Sequence, residues 1–472
     1  MPAAPAHRQS DIVRTFPLVS HASQDSIIAY HLGQAVTVRR FLADVMRLAA
    51  ELPPGGHVFN VCADRYCFTV GLCAALLAGK ISLLPSTHTP EMVRQLASFA
   101  PDAFCLHDTP DCDIALPRLR IPAFAGQATD APAAEVRIPS IPGERVMAYV
   151  FTSGSTGQPV PHRKTWSFLV SNVRAAAARL GLQDGRAYTL VGTVPPQHMY
   201  GFESTVLLAL QGGIALSAAP TFYPADIRAA LEAVPRPRVL VTSPVHLRAL
   251  LLSPGKLPHA DLVLSATAPL SEKQACEAEA RLAAPLMEIY GSTETGQLAT
   301  RRTAQTSAWE LFPEVKLEAR SEAGEDEQIW AAGGHVEQPV AMGDALELLD
   351  ETRFLLHGRK ADLINIAGKR TSLAYLNHQL NAIAGVEDGV FFMPDEQPEG
   401  HVQRLVALVV APRLRAAQIQ QALRERIDQA FLPRPLLFVD TLPRNATGKL
   451  PHEILAPLVA KLQAAQRRGE TA

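Results

Sequence analysis

Four short stretches combine residue types that can do chemistry at spacings that suit it. The first is Tyr149-Val-Phe-Thr-Ser-Gly-Ser-Thr-Gly-Gln-Pro159. Its run of Thr152, Ser153, Gly154, Ser155, Thr156 and Gly157 lets backbone N–H groups and hydroxyls converge on phosphate oxygens. No Gly-Lys-Ser/Thr follows, so this is not a Walker A loop, and a P-loop ATPase or kinase is disfavoured. The second is Ile289-Tyr-Gly-Ser-Thr-Glu-Thr-Gly296. Here Glu294 suits Mg²⁺, Thr293 a phosphoryl oxygen, and Tyr290 the face of a base. The third is Met342-Gly-Asp344, followed by Leu356-His-Gly-Arg-Lys-Ala-Asp-Leu-Ile-Asn-Ile-Ala-Gly-Lys-Arg370. Asp344 and Arg359 suit two ribose hydroxyls. The fourth is Leu442-Pro-Arg-Asn-Ala-Thr-Gly-Lys-Leu450, a glycine turn with a basic residue, Lys449. Taken singly, each reads more readily as a turn, a solvated lysine or a surface ion pair worth less than about 1 kcal/mol.

The elements that must position these stretches alternate between short apolar runs and helical patterns. A helix over Phe68–Ala78 precedes a buried strand at Ile81–Leu84. A strand at Arg145–Thr152 leads into the Gly/Ser/Thr loop, then a helix over Trp166–Leu180. Strands are expected at Tyr188–Val194, Ile214–Ser217, Val239–Thr242, Leu262–Ser265 and Met287–Tyr290, with helices at Gly201–Leu210 and Pro224–Val234 among them. That alternation predicts mainly parallel sheets covered by helices. After about Arg301 the texture changes to short antiparallel strands, such as Val315–Ala319 and Glu327–Ala331. From Asp362 a third unit begins. It has helices over Leu373–Ala384 and Ala416–Ala430 and strands at Val390–Met393 and Leu405–Val410. The tail Gln463–Ala472 reads as polar low-complexity sequence.

A chain of 472 residues exceeds one hydrophobic core. Hydrophobic residues at 47% and charged residues at 19% exclude a disordered chain, and a net charge of -2 points to no nucleic-acid partner. The cysteines Cys62, Cys67, Cys73, Cys105, Cys112 and Cys276 form no C-x-x-C pair and read as reduced, packed thiols. The most apolar stretches, Val70–Pro85 and Thr205–Ala219, are interrupted by Lys80 and Gln211, so no membrane span is expected. With no signal-type run after Met1, the expected location is cytoplasmic.

The order and spacing of the four stretches resemble the superfamily of adenylate-forming enzymes: acyl- and aryl-CoA synthetases, peptide-synthetase adenylation domains and beetle luciferases. The resemblance runs from about Val36 to Leu455. It implies an α/β fold with three parts. These are a large N-terminal AMP-binding domain (1–357) of mainly parallel sheets with a small β-barrel-like subdomain, a hinge (358–361), and a small mobile α+β domain (362–472). It implies ATP, Mg²⁺ and coenzyme A or a carrier protein's phosphopantetheine as cofactors. Thr152 to Gly157 match the phosphate loop, Tyr290 the residue beside adenine, and Ala266 to Pro269, with Thr267, the loop bordering adenine. Thr293 matches the α-phosphate ligand, Glu294 the Mg²⁺ ligand, and Asp344 with Arg359 the ribose pair. Lys449 matches the lysine bridging the substrate carboxylate and the α-phosphate. Pro195-Pro-Gln-His-Met-Tyr-Gly201 matches the histidine motif beside the acyl pocket, with His198, Tyr200, Ser204 and Gly291 as pocket residues. Gly368 and Lys369 fall in the loop lining the thiol tunnel.

Two positions depart from the family pattern. Val160 stands where the phosphate loop usually has lysine, with His162, Arg163 and Lys164 close behind as substitutes. Ala361 stands at the hinge position that is usually Asp or Lys. The implied reaction activates a carboxylic acid as acyl-AMP and passes the acyl group to a thiol. An aryl or hydroxyaryl acid is the first expectation, a medium-chain fatty acid the second. Amino-acid activation, for which Glu203 lies near the amine-binding position, and a non-catalytic nucleotide-binding homologue stay open.

Overall fold

The structure is a computed structural model that describes residues 14–85, 87–122, 124, 137–153, 159–320, 328–359, 363–366, 369–394, 404–444 and 450–467. Two sheets dominate. In the six-stranded one, β1 (Ile81–Leu84) lies beside β2 (Val146–Ser153), which pairs antiparallel with β3 (Pro159–Thr165) at the edge. His57–Asn60, Phe104–His107 and Arg118–Arg120 complete it in parallel on the other side. The helix α1 (Trp166–Arg179) follows β3 directly. Thr165 caps it, its hydroxyl accepting from the Phe168 N–H at 3.2 Å.

The second sheet has eleven strands. Its centre is parallel: β4 (Thr189–Gly192), β5 (Ala215–Ser217), β6 (Arg238–Thr242), β7 (Leu262–Ser265) and, after helix α2 (Glu272–Leu282), β8 (Leu286–Ser292). These strands are apolar runs buried along nearly their whole length, as strands covered by helices on both faces must be. Beyond β8 the sheet turns antiparallel through β9 (Gly296–Arg301), β10 (Trp309–Leu311), β12 (Arg353–Arg359) and β11 (Asp344–Leu348). A three-stranded sheet, Val315–Arg320, Gln328–Gly333 and Val336–Ala341, packs there around Trp309, Phe312 and Phe354. This is the expected antiparallel subdomain.

The helix Arg65–Leu77 is buried from Tyr66 through Leu76. A helix apolar on all sides has to be enclosed, and its residues join Trp166, Phe168 and Phe202 in the largest core cluster. Full burial of a side chain such as Phe68 contributes roughly 1.5–3 kcal/mol. This accounts for the first of the two apolar stretches, Val70–Pro85, as a core helix followed by a core strand. Among the described residues, no helix is long and apolar enough to cross a membrane.

The C-terminal unit has its own apolar clusters. They lie between α3 (Leu373–Asn381), β13 (Asp388–Phe392), β14 (Val406–Val410) and further helices. It touches the rest of the chain where Ser372 Oγ donates to the His357 carbonyl (2.7 Å) and where Arg248 approaches Asp388 (3.6 Å). One expectation is corrected here. The helix expected over Ala416–Ala430 ends at Arg424, because Asp428 caps a separate short turn, Gln429–Phe431. The polar stretch from Gln463 begins inside the helix His452–Arg467, whose Leu455 and Val459 are buried against Phe392 and Leu437.

Candidate active site

The ends of β4, β6, β7 and β8 share one edge of the parallel sheet, the carboxyl edge where open α/β sheets bind ligands. The β8–β9 hairpin projects from it. Ser292 and Gly296 are cross-strand partners, and Thr293, Glu294 and Thr295 form the turn. The Ser292 N–H donates to Thr295 Oγ1 (3.1 Å) and the Thr295 N–H to Ser292 Oγ (3.2 Å), so two hydroxyls tie the turn shut. Both glycines are required. A Cβ at Gly291 would lie 2.1 Å from the Gly296 carbonyl, and one at Gly296, where φ is +69°, would lie 2.3 Å from Asn172 Nδ2. Thr295 is buried, Thr293 half-buried and Glu294 exposed, so the turn presents Thr293 and Glu294 outward.

The phosphate-loop hairpin comes to meet that turn. His162 on β3 has its Nε2 2.8 Å from Thr152 Oγ1 on β2 and 3.4 Å from Glu294 Oε1. Burial lowers the His162 pKa, with Glu294 opposing. Of the three residues considered as substitutes for the missing lysine, His162 alone lies against the Glu294 carboxylate. Arg163 is exposed and reaches back toward the Glu144 carbonyl (3.5 Å). Lys164 turns inward, its Nζ donating to the Glu294 carbonyl at 3.2 Å. Val160 is exposed opposite Thr152. Gly154, Ser155, Thr156 and Gly157 lie outside the described residues, and Ser153 is described by its backbone alone.

On the other side of the turn, the Tyr290 hydroxyl donates to Asp344 Oδ2 at 2.6 Å. The ring is set by Trp309 and Phe354, at centroid distances of 5.5 and 5.4 Å. Asp344 on β11 and Arg359 on β12 are cross-strand partners, which places the two residues side by side at the backbone level. Ala266 and Thr267 follow β7 at the same sheet edge. Thr267 has φ +83°, a left-handed backbone that a β-branched residue adopts only at a cost of about 1–3 kcal/mol. Strain of this kind concentrates at ligand-binding loops.

The histidine motif leaves β4 along that edge. His198 precedes the short turn Met199–Gly201, and Gly201 admits no side chain because a Cβ would lie 2.0 Å from the Pro195 carbonyl. A π-helical stretch, Phe202–Leu207, follows, a widening common at functional sites. The Tyr200 hydroxyl is buried and, among the described residues, has no hydrogen-bond partner of normal geometry. Ser204 is buried and accepts from Gln297 Nε2 at 2.9 Å. Glu203 is fully enclosed, and burial raises its pKa to about 8 with Lys164 opposing.

Three supporting residues carried no signal in the sequence, because each acts across a long stretch of chain. Arg65 donates to Thr205 Oγ1 (2.6 Å) and to the Gly192 and Val194 carbonyls (both 3.0 Å), pinning the start of the histidine motif. His335 Nε2 donates to the Thr295 carbonyl at 3.0 Å, and burial lowers its pKa to about 4. Asn172 Nδ2 donates to the Gln297 carbonyl at 3.3 Å. Lys449, Gly368 and the Lys369 side chain lie outside the described residues. A cleft of about 670 Å³ lies elsewhere, lined by His31, Asp64 and Cys67. These residues already serve the fold: Asp64 accepts from the Cys67 N–H (2.9 Å) and pairs with His31 (3.3 Å).

The sequence is 29% identical over 310 residues to a 4-coumarate–CoA ligase of Rhodobacter capsulatus, covering 65% of this chain and 75% of the relative. It is 32% identical over 312 residues to the 4-coumarate–CoA ligase of Halorhodospira halophila, covering 63% and 73%. A 4-chlorobenzoate–CoA ligase of an Arthrobacter species is 29% identical over 385 residues, 73% of this chain and 71% of that one. The fold is shared with ATP-bound MatB from Rhodopseudomonas palustris, with a TM-score of 0.79, 19% identity, and coverage of 93% of this chain and 97% of that one. The o-succinylbenzoate CoA synthetase of Bacillus subtilis gives 0.76 at 18% identity, covering 92% and 96%. The profile of the AMP-binding enzyme family matches residues 21–355, which makes the chain a member of that family of adenylate-forming enzymes.

Proposed function

We propose that the protein is an ATP-dependent acid–thiol ligase that forms an acyl-adenylate, releases pyrophosphate, and transfers the acyl group to a pantetheine thiol. The observation carrying this reading is the convergence on one turn. His162 of the phosphate-loop hairpin, itself bonded to Thr152, meets Glu294, while Tyr290, four residues before Glu294, meets Asp344. Nucleotide base, ribose and phosphate groups thereby have adjacent partners. The exposed Glu294 carboxylate and the Thr293 hydroxyl are hard oxygen donors that fit Mg²⁺, which when bound neutralises charge on the polyphosphate. Thr293 and Lys449 are assigned to the α-phosphate, and Lys449 also to the substrate carboxylate. Residues 1–357 are assigned to the adenylating domain, 358–361 to the hinge and 362–472 to the mobile domain carrying Lys449 and the Gly368–Lys369 thiol loop.

An aryl or hydroxyaryl acid is the proposed substrate. It is supported by the curated relatives, named for 4-coumarate and 4-chlorobenzoate, and by the buried Tyr200 hydroxyl, which is available to a polar ring substituent. Glu203, enclosed with Lys164 as its counter-charge, is badly placed to receive a substrate ammonium, which counts against the amino-acid reading. Pyrophosphate release measured over a panel of aryl, fatty and amino acids tests the proposal. Coenzyme A and an acyl carrier protein are then offered in turn as acceptor. Release with no acid in the panel would sink the reading in favour of a binding protein. Lys449→Ala should abolish adenylate formation yet still make thioester from supplied acyl-adenylate, and Gly368→Leu should do the reverse.

A further inference from the structure

Lys164 is 2% exposed, and Glu203 is 2% exposed on the π-helical stretch. Burying an ammonium and a carboxylate is costly, and two apolar residues of like volume would serve stability as well. Their placement has a geometric consequence. Lys164 Nζ sits 4.2 Å from the Phe168 ring centre and donates to the Glu294 carbonyl at 3.2 Å. It is the first of three side chains, from three parts of the chain, that fix carbonyls of this hairpin. His335 takes Thr295 at 3.0 Å and Asn172 takes Gln297 at 3.3 Å. Glu203 Oε1, near the site a Gly296 Cβ would occupy (3.0 Å), has no hydrogen-bond partner among the described residues. The Phe168 ring borders the same Gly296 site, and Lys164 Nζ lies over that ring, so the two buried groups are neighbours with no direct hydrogen bond between them among the described residues.

We propose that Lys164 is a positioning residue: donating to the Glu294 carbonyl from inside the protein, with Glu203 as a buried neighbour, it aims the Glu294 carboxylate at the nucleotide-bound metal. This rests on the assignment of Glu294 to Mg²⁺. It also makes Lys164 something other than a replacement for the phosphate lysine absent at Val160, since its ammonium faces the core side of the turn. Glu203 belongs to the stretch that follows the histidine motif, so the two buried groups adjoin both the proposed acyl side and the proposed metal side of the site.

The test uses the full chain and three variants, K164M, K164R and K164M/E203Q. ATP affinity is measured by calorimetry with and without Mg²⁺, beside thermal melting. K164M should lose about tenfold of the Mg²⁺-dependent gain in ATP affinity, the scale for removing a partner that orients a metal ligand. K164R should recover most of it. K164M/E203Q, with both charges gone, should melt near the parent and still lack the gain. If the double variant regains both melting temperature and Mg²⁺ response, the pair only balances charge and the proposal fails. Equal Mg²⁺ response in parent and K164M also overturns it, with the Glu294 assignment left standing. A parent whose ATP affinity ignores Mg²⁺ overturns that assignment itself and the inference with it.

Discussion

The two ends of the β8–β9 hairpin carry buried charge in opposite ways. At the base, Glu288 and Arg301 are cross-strand partners. Arg301 reaches Glu288 with Nε at 2.7 Å and with a terminal nitrogen at 2.5 Å, and Thr303 also donates to that carboxylate. The guanidinium lies 4.5 Å from the centre of the Trp309 ring. At the tip, Glu294 is exposed and Lys164 and Glu203 are enclosed. Glu203 Oε1, Asn172 Oδ1 and Gln297 Oε1 make no hydrogen bond among the described residues. The base is a closed electrostatic unit that holds strands together. The tip leaves polar capacity unspent within one shell of the proposed metal and acyl groups, where unsatisfied buried groups in native proteins tend to mark function.

The largest effect should come from opening the base. Arg301→Met leaves Glu288 buried without its counter-charge, and removing one partner of a buried pair costs about 3–5 kcal/mol. Denaturant unfolding should show that loss, while the folded fraction keeps its ATP affinity. A loss under about 1 kcal/mol would mean that the base is no more of a clamp than a surface pair.

The tip should carry part of the acid sensitivity, beside His21, whose pKa burial also lowers to about 4. His335 is buried and its pKa is lowered to about 4 from 6.5 by burial. The unfolded chain takes up the proton near pH 6.5 and the folded chain only near pH 4. Neutral His335 therefore contributes stability that is fully present above pH 6.5 and lost as pH falls toward 4, about 3 kcal/mol in all. His335→Gln keeps a donor for the Thr295 carbonyl and removes the titration, so its stability should fall less steeply across that window. Identical slopes for parent and variant would show that His335 does not report on the tip.

Glu294→Gln comes next and inverts the pattern of Arg301→Met. The side chain is exposed, so melting should hardly change. Adenylation should fall about 10²-fold, the cost of losing one preorganised electrostatic partner. A variant releasing pyrophosphate at the parent rate in saturating Mg²⁺ would detach Glu294 from the metal.

The strands of the parallel sheet were legible because each is a short apolar run between turn residues, and Leu262–Ser265 and Ile81–Leu84 fall where the pattern puts them. The helix Ala416–Arg424 was overextended because Ile427 and Phe431 continue its apolar spacing, although Asp428 has already redirected the chain. The final helix was not read from the sequence, where Pro457 stands inside it and argues for a break. The turn at Thr293–Glu294 and the pairing of Asp344 with Arg359 were within reach of motif order. The partners that hold the turn were not. Lys164 and Glu294 are 130 positions apart, and Arg65 and Thr205 are 140 apart. Nothing local in Lys164 distinguishes an ammonium facing solvent from one facing the core.

The smallest effect is expected at Val160, and it bears directly on the contrast between spent and unspent charge at the tip. Val160 is 43% exposed and sits opposite Thr152 at the mouth of the phosphate-loop hairpin. It therefore contributes little to the core, and substitution should change stability by no more than about 0.5 kcal/mol. A lysine placed there has solvent on one side, so its attraction for a phosphate is screened and limited to about 1 kcal/mol or less. Val160→Lys should thus lower the KM for ATP by roughly fivefold at most. It should leave the choice of acid unchanged, because Tyr200 and Ser204, proposed for the acyl pocket, stand on another element. The gain should shrink as salt rises, which separates a charge effect from a change in loop shape. An unaltered KM at low salt would mean that the tip already supplies the positive charge the nucleotide needs.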